Sequence, residues 1–546
     1  MAKRGRRVAA ALWMLLTLVA ASGCTRVDTG ATSGGLHAWT QPDRLRLAST
    51  EEPDSLNKLF ANSDASDQVA NLISAPIFRY DDKGNYVPEM ALTVPTLQNG
   101  GISRDGKTVV LHLRHGMQWS DGAPLDARDL RFTWQAVMNP RNNTRLRSGW
   151  DDISAIALPD NDTAIVHLRE PYAAILGIFA LGGAGYPPLP AHVLASLPDL
   201  NHAPFNANPL SSGPYVLVRW NHGASLEFDA NPRYWRGKPP IPHLIYRIIP
   251  NADTLFTALQ THDVDVDVDS ITETQIGRLG VLTGFSTQKR LIANYRHITF
   301  NTAKPALHDV RVRRAIAEAV NWDHMNATVF HGYNQRATSD IVPTSWAAPN
   351  IPPYPYDPSA AKALLTAAGW LPGPGGIRRR NGAPLSIDVS TTPSKPANVQ
   401  AEVLMQQELR AAGIDLRIKN YPTSLLFAQD GPLYGGRYDL SLTIDTNATD
   451  PDNEGEWSGA FIPPHGANTT FLDDPVITKT SHDAARTFDR AQRKALYASE
   501  EARIHTLVPA VFLYWQIAYA AYNSDLKHYR AAQYLSSNWN AWEWSF

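Results

Sequence analysis

Hydrophobic positions along this chain follow two periods, one typical of strands and one typical of helices. Apolar residues fall at every second position in residues 108–113, and then at every third or fourth position in Ala127–Met138. Later, strand-like residues 385–389 and 414–418 flank a helical pattern over 398–411. Because strands alternate with helices, we expect an α/β fold, with a parallel strand pair in the last of these units.

One stretch, residues 263–269, alternates four aspartates with three valines. This period of two predicts an edge strand with one acidic face in contact with solvent. The spacing also resembles a calcium-binding loop, but a valine at every second position and the lack of a central glycine favour the strand.

Residues 101–108, GISRDGKT, match the phosphate-loop pattern G-x-x-x-x-G-K-[ST]. Such a loop needs a preceding strand and a following helix, so that backbone N–H groups converge on the phosphates. The sequel here is VVLHL, which predicts a strand, so Gly106 and Lys107 are expected in a hairpin turn. We therefore reject a nucleotide site.

Composition narrows the function classes. The chain has 546 residues, 43% of them hydrophobic, which is enough for two or more lobes, and its formal charge of -2 gives no general attraction for nucleic acid. The patterns H-E-x-x-H and G-x-S-x-G are missing from the sequence, and no nucleophile is paired with a base at a recognisable spacing. We expect a binding protein rather than an enzyme, with no cofactor and no metal site.

The first 24 residues have the parts of a lipoprotein export signal. Basic residues precede an apolar run over residues 8–21, which is too short for a comfortable bilayer span, and small residues lead to Cys24, the only cysteine. We predict a signal peptide over 1–23, lipid on Cys24 and a flexible tether over 24–41, rich in Thr, Gly, Ser and Ala. The alternative is an ordinary cleaved signal peptide with a chance cysteine.

Four groups of segments resemble the extracytoplasmic solute-binding proteins of ABC importers, specifically the oligopeptide-, dipeptide- and nickel-binding family (family 5). They are PEMA (88–91) with DGKT (105–108), LRHG (113–116) and WSDGAPL (119–125); SGPY (212–215) with NPRYWRGKP (231–239); FN (300–301) with DVRVRRA (309–315) and AVN (319–321); and YDP (356–358) leading to AG (368–369). They follow the family order over nearly the whole chain.

This resemblance implies a two-lobe periplasmic-binding-protein-like fold, of type II in the large cluster with an extra subdomain in lobe I. Lobe I is expected over 42–290, with the inserted subdomain over about 76–205, lobe II over 291–508, and a return to lobe I over 509–546. Two crossing strands, expected near residues 289–295 and 507–512, would join the lobes. The ligand would lie in the cleft and be enclosed as the lobes close.

The resemblance also points to a ligand anchor. Peptide-binding members hold the ligand's amino terminus with an acid that follows Gly-Trp and precedes Asp-Pro, and the matching stretch here is TIDTNATDPD, residues 443–452. Asp445 stands about where the Trp would be, and Asn447 or Ala448 about where the acid would be. Either Asp445 takes over the amine contact or the ligand lacks a free amine, while Asp450 and Asp452 have the alternative role of capping a turn or helix.

Two tryptophans are candidate pocket walls. Trp346 and Trp457 fall in loop-like stretches of the predicted lobe II, the second beside the Asp-Pro-Asp segment. Aromatic walls tolerate varied ligand side chains. Together with Asp445 and Asn447 they complete the predicted ligand-binding set.

The resulting hypothesis is a monomeric, lipid-anchored receptor that captures a peptide or peptide-like solute outside the cytoplasm and delivers it to ABC permease subunits. It would lie in the periplasm or at the outer face of the cytoplasmic membrane, held to the membrane by its lipid. A second hypothesis is the same role for a metal chelate, a sugar derivative or an opine-like compound. A third is an extracellular hydrolase on the same scaffold, which the missing catalytic patterns disfavour.

Overall fold

The computed structural model of the chain describes residues 35–181, 185–447, 449–532 and 537–546. Residues from Gln41 to Phe546 form one compact unit. In the preceding unit, which ends at Thr40, the N–H of Thr40 donates to the carbonyl of His37 at 2.9 Å. The predicted signal peptide, Cys24 and most of the predicted tether lie outside the described residues.

The secondary structure alternates strands and helices, as predicted for an α/β protein. The strands are β1 (Arg44–Ser49), β2 (Phe78–Tyr80), β3 (Tyr86–Pro88), β4 (Thr108–His112), β5 (Ile153–Ala157), β6 (Thr163–Leu168), β7 (Tyr215–Asn221), β8 (Ser225–Ala230), β9 (His243–Ile248), β10 (Val266–Ile271), β11 (Phe285–Phe300), β12 (Gln335–Arg336), β13 (Arg379–Arg380), β14 (Ala383–Pro384), β15 (Ser386–Ser390), β16 (Asp415–Ile418), β17 (Leu440–Thr446) and β18 (Ala510–Asn523). The α-helices are α1 (Asp64–Ile73), α2 (Ala127–Met138), α3 (Ala191–Leu194), α4 (Ala252–Gln260), α5 (Val310–Ala319), α6 (Trp322–Val329), α7 (Pro358–Ala367), α8 (Pro396–Ala412), α9 (Thr423–Leu426), α10 (Glu454–Trp457), α11 (Pro475–Arg486) and α12 (Arg490–Leu507).

One large sheet runs through the molecule in the order β16-β15-β17-β11-β18-β10-β1-β9-β8-β7, with β12 pairing β18 at its side. The long strands β11 and β18 are antiparallel neighbours at its centre. On one side β1 pairs with both β9 and β10 in parallel, and on the other β15 pairs with both β16 and β17 in parallel. The two long strands therefore join two separate α/β halves.

Three large hydrophobic cores correspond to three regions. One core, which includes Leu45, Tyr246 and Trp544, lies in the half that we call lobe I, built on β1, β7–β10 and the C-terminal residues. A second core includes Trp150 and Phe179, packed between α2 and the β4-β6-β5 sheet, and defines the inserted subdomain. A third lies under β15–β17 and helices α5–α8 and defines lobe II.

Local signals explain the helix ends. Asp126 and Asp129 form a capping box at the start of α2. The Asp126 side chain accepts a backbone N–H of the first turn, and the Asp129 side chain accepts the backbone N–H of Asp126. Helix α7 begins at Pro358 after the N-cap Asp357, and α8 ends at Gly413, whose φ of 92° is in the left-handed region. Strand β15, helix α8 and strand β16 form the predicted βαβ unit.

The rejection of the phosphate loop is confirmed. Gly106 lies in a turn with φ of 68°, and strand β4, antiparallel to β6, begins at Thr108. A helix does not follow the loop, so the backbone geometry for holding a phosphate is not present there.

The prediction of an acidic edge strand is wrong. Strand β10 lies inside the sheet, between β1 and β18, and Asp265 and Asp267 are buried. The Asp265 carboxylate accepts hydrogen bonds from Arg46 Nε and Nη2 at 2.8 and 2.9 Å, so a partner 219 residues away compensates its burial. The alternation marked two buried faces rather than one wet face.

No helix in the described ranges is long and apolar enough to span a membrane. The predicted boundaries between the lobes, at residues 290 and 508, stay a prediction, although they fall within β11 and just before β18.

Candidate functional site

The candidate site lies on lobe II, at the C-terminal end of β17 and on the segment that follows it. This strand pairs with β11 in antiparallel register, so Asp445 lies opposite Tyr295. After β17 the chain passes through the Asp-Pro-Asp segment and enters the short helix α10. Polar groups that the sequence places far apart therefore meet at one end of the sheet.

A partly open hollow of about 270 Å³ lies at this point, and we call it the acidic cavity. Its carboxylates belong to Asp340, Asp445, Asp452 and Glu456. Its aromatic walls are Tyr295, Phe427 and Tyr434. Its described lining residues include neither lysine nor arginine. His297 is the one side chain among them that can take a positive charge. The cavity therefore favours a positively charged ligand group.

Asp445 and His297 are hydrogen-bond partners in the cavity wall. The Nε2 of His297 lies 2.9 Å from Oδ2 of Asp445, and the Oγ1 of Thr299 lies 3.1 Å from Nδ1 on the other side of the ring. The imidazole is buried, whereas half of the Asp445 side chain is exposed, at 51%. Asp445 is therefore held in place by a buried ring and still presents carboxylate oxygen to the cavity.

Two other carboxylates of the cavity are easier to protonate than usual. Solvent in the cavity reaches the side chain of Glu456, which protein surrounds on its other sides. The surrounding protein, together with the negative charges of Asp452, Asp340 and Asp445, raises the pKa of Glu456 to about 8. Burial and the nearby charge of Asp450 raise the pKa of Asp452, although the positive charge of Arg493 and a hydrogen bond from the Tyr172 hydroxyl oppose that shift. The site thus concentrates negative charge where little cationic charge balances it.

Asp340 organises the segment that carries these groups. Its Oδ2 accepts hydrogen bonds from the indole Nε1 of Trp457 at 2.9 Å and from Nδ2 of Asn453 at 3.2 Å. Its backbone carbonyl accepts a third, from Nδ2 of Asn447 at 2.6 Å. Behind it, burial and the proximity of Asp340 raise the pKa of Glu501 well above its ordinary value. This buried network fixes the shape of the cavity floor.

A second, larger space of about 760 Å³ lies between the inserted subdomain and lobe II, and we call it the interlobe groove. The subdomain contributes Lys83, Tyr86 and Leu97, and lobe II contributes Trp346 and Arg490. The guanidinium of Arg490 lies 5.0 Å from the centre of the Trp346 ring, a cation–π distance. The groove differs from the acidic cavity in having walls from both lobes and cationic side chains.

The two lobes touch each other beside this groove. The N–H of Ala173 in the subdomain donates to the carbonyl of Ala485 at 2.7 Å, and Arg486 bridges Glu170 of the subdomain and Glu454 of lobe II. Phe488, in the turn between α11 and α12, packs on the subdomain core. The structure therefore describes a closed arrangement of the lobes.

Gly106 makes room for this contact. A Cβ on Gly106 would lie 2.6 Å from Cε2 of Phe488, closer than side-chain atoms approach one another. Its φ of 68° also disfavours any other residue. The glycine of the rejected phosphate loop thus serves the contact between the lobes.

The four predicted ligand residues divide into three groups. Asp445 and Asn447 line the acidic cavity. Trp457 is buried behind it, on Phe512, and acts through Asp340, while Trp346 lines the interlobe groove instead. Sequence reasoning left out Glu456 and His297, and it gave Asp452 only as a possible cap. The one available signal was the run of acids after Asp445.

The described residues contain no group of three or more His, Cys, Asp or Glu side chains arranged to hold a metal ion. The carboxylates of the acidic cavity are spread over its walls rather than converging on one point. A ligand that carries its own positive charge is therefore a better match to this cavity than a bare metal ion.

Comparison with known proteins defines the class. Residues 85–461 match the model of the bacterial extracellular solute-binding proteins, family 5, middle region, so the chain belongs to this family. Family 5 proteins are extracytoplasmic binding proteins of ABC importers rather than enzymes, which removes the hydrolase hypothesis. The predicted two-lobe periplasmic-binding-protein-like fold is confirmed.

Individual relatives differ in what their names say they bind. The oligopeptide-binding protein AppA of Bacillus subtilis is 25% identical over 501 residues, covering 89% of this chain and 88% of AppA, and the nickel-binding periplasmic protein of Escherichia coli is 27% identical over 464 residues, covering 82% and 83%. Among solved structures, NikZ of Campylobacter jejuni in complex with Ni(L-His) is 26% identical with a TM-score of 0.78, covering 93% of this chain and all of NikZ. AppA in complex with a nonapeptide is similar in fold, with a TM-score of 0.77.

Proposed function

We propose that this protein is a lipid-anchored receptor that captures a peptide or peptide-like solute in the interlobe cleft and delivers it to an ABC permease. The observation that carries the proposal is the acidic cavity, which has four carboxylates and no lysine or arginine among its described lining residues. The protonated amino terminus of a peptide supplies the positive charge that this wall lacks. Asp445, which is half exposed and held by His297, is the anchor for that amine.

The proposed anchoring carboxylate, Asp445, precedes by two or three residues the position, Asn447 or Ala448, at which peptide-binding members carry theirs. Asn447, which stands near the expected position, instead donates its side-chain N–H to the backbone of Asp340 and so fixes the loop. Asp445 comes from the end of β17 on the same wall. The amine contact therefore moves to the strand while the loop keeps a structural role.

The second candidate is a metal chelate. It is favoured by the imidazole of His297 in the cavity wall and by the likeness to NikZ, which was solved with Ni(L-His). A sugar derivative or an opine-like compound stays an alternative without a specific observation in its favour.

The test is to identify what the protein carries and to measure its preference. Protein purified without unfolding is analysed by native mass spectrometry, and alanine peptides of two to nine residues are then titrated by calorimetry beside their N-acetylated forms and beside nickel with histidine. We expect free peptides to bind and acetylated ones to bind much more weakly, because acetylation removes the charge. Binding of the nickel chelate alone would overturn the peptide proposal.

The lipid anchor is tested separately at Cys24. We expect labelled palmitate to be incorporated into the full chain and not into Cys24→Ser, whereas the nearby change Ser22→Ala keeps the label. Equal labelling of both variants would contradict lipidation at this residue.

A further inference from the structure

We propose that the acidic cavity takes a second positive charge of the ligand, a guanidinium or ammonium group on a side chain, between Asp452 and Glu456. This inference rests on the proposed function, because Asp445 is there assigned to the amino terminus. It narrows the solute class from peptides in general to peptides with a basic residue near the amino terminus.

The first support is the balance of charge in the cavity. One amine neutralises one carboxylate, and His297 is already paired with Asp445. Arg493, the nearest guanidinium on α12, is engaged by Asp450 at 2.5 and 2.6 Å and does not line the cavity. Among the described residues neither Asp452 nor Glu456 forms a salt bridge with a lysine or arginine, although the charge of Arg493 acts on Asp452, and a single amine leaves most of that negative charge in place.

The second support is an unsatisfied acceptor in the wall. Asn453 lines the cavity and is 2% exposed, and its Oδ1 has no hydrogen-bond partner in the described parts of the chain. Its Nδ2 is used by Asp340, so the amide orientation is fixed. A buried acceptor without a donor costs stability, and a guanidinium or ammonium group supplies N–H donors at this place.

The third support is the shape and chemistry of the walls. Tyr295, Phe427 and Tyr434 surround the carboxylates, and aromatic faces attract cations. A volume of about 270 Å³ is too small for a whole peptide and suits the end of one. The cavity therefore selects a terminal, charged part of the ligand.

Bound cation and proton compete in this cavity. The charged and titratable groups that face Glu456 are Asp340, Asp445, Asp452, Glu500, Tyr295 and Tyr434, with His297 paired to Asp445. The raised pKa of Glu456 increases its protonated fraction near neutral pH in the ligand-free protein. A cation beside it favours the carboxylate, so binding releases protons from this group.

The experiment uses the mature protein and two pairs of alanine tripeptides. Each pair carries arginine or its uncharged analogue citrulline, at the first or at the second position, and every peptide has the same free amine. We expect the arginine form of one pair to bind on the order of tenfold tighter than its citrulline form. Calorimetry in phosphate and in Tris, which differ in ionisation enthalpy, should show proton release with arginine and not with citrulline.

Glu456→Gln should remove most of this arginine preference and the proton release, and Asp452→Asn serves as a second variant if the first folds poorly. The matched control is Glu402→Gln, since Glu402 is another lobe II glutamate whose pKa is raised by burial, to about 7, but it contacts Asn420 outside the cavity. The Glu402→Gln variant should keep both the arginine preference and the proton release.

The outcomes separate the two proposals. Equal binding of arginine and citrulline peptides with useful affinity would overturn the second cation and leave the peptide receptor standing. Failure of all four peptides to bind would overturn both. A preference for arginine that survives in Glu456→Gln and Asp452→Asn would also overturn the assignment to this cavity.

Discussion

The acidic cavity and the interlobe groove both use the Asp-Pro-Asp segment of lobe II, the groove through Asp450 and the cavity through Asp452, but they are built differently. The described walls of the cavity all belong to lobe II, and its charge is negative. The groove is nearly three times larger, has walls from both lobes, and includes Lys83 and Arg490. The contrast indicates two tasks: the cavity presents negative charge from lobe II, whereas the groove needs walls from both lobes.

The largest expected effect is a loss of affinity on changing Asp445 in the acidic cavity. Asp445→Ala should weaken binding of peptides with a free amine by about 2 kcal/mol, roughly 30-fold, because a charged hydrogen-bond partner is lost. Calorimetry with free and N-acetylated peptides measures this. Acetylated peptides should be affected little by the substitution, and an unchanged dissociation constant for free peptides would contradict the role of Asp445 as the amine anchor.

The next largest effect is expected at the contact between the lobes, where Phe488 packs on the subdomain. Phe488→Ala removes a half-buried ring from the subdomain surface and should weaken binding by about 1 kcal/mol, while every cavity residue stays in place. Small-angle scattering of the loaded protein should show a larger radius of gyration. Gly106→Ala, which collides with the same ring, should act in the same direction. If both variants bind and close normally, this contact does not hold the lobes together.

Protonation gives a smaller effect, with a definite sign. The pKa of Glu456 is raised from 4.5 in the unfolded chain to about 8 in the folded protein, so the folded state binds more protons between these values and its stability falls as pH rises through them. Glu456→Gln removes this loss. Since solvent in the cavity screens the charge, we expect a gain of no more than about 1 kcal/mol above pH 8 and none below 4.5. Melting curves across this range, in the absence of ligand, measure it, and a gain that is largest in acid would contradict the assignment.

The smallest effect is expected at the ion pair between the lobes. Arg486 reaches Glu170, whose side chain is 62% exposed, so Arg486→Gln should change binding by less than about 1 kcal/mol, and added salt should shrink the difference. Glu170→Gln is the partner control and should match it. A tenfold loss of affinity in either variant would show that charge, rather than the Phe488 ring, holds the closed state.

Sequence patterns predicted the parts of the fold that local rules decide. The helical pattern over 398–411 corresponds to α8, which Gly413 ends, because helix ends depend on neighbours within a few residues. The first crossing strand was expected only near residues 289–295, but β11 begins at Phe285 and continues to Phe300, since most of its length depends on pairing with distant β18. Long-range pairing leaves no mark on local periodicity.

The same limit applies to the site. Asp445 and Asn447 were found because a family pattern marks their segment, and both line the cavity. Glu456 was missed because an acid at the start of a short helix is ordinary in sequence, and its raised pKa depends in part on Asp340 and Asp445 from two other segments. Trp346 lines the interlobe groove rather than the acidic cavity, and an aromatic residue in a loop gives no indication in the sequence of which wall it faces.

The strand that supplies Tyr295 and His297 to the cavity is also one of the two ribbons that connect the lobes. Its ladder with β18 slips twice, between Leu291 and Tyr295 and again at Arg296 and His297, which is where those two side chains point into the wall. The same few residues of β11 therefore line the cavity and belong to a strand that connects the lobes. A solute bound against this wall contacts that connecting strand directly.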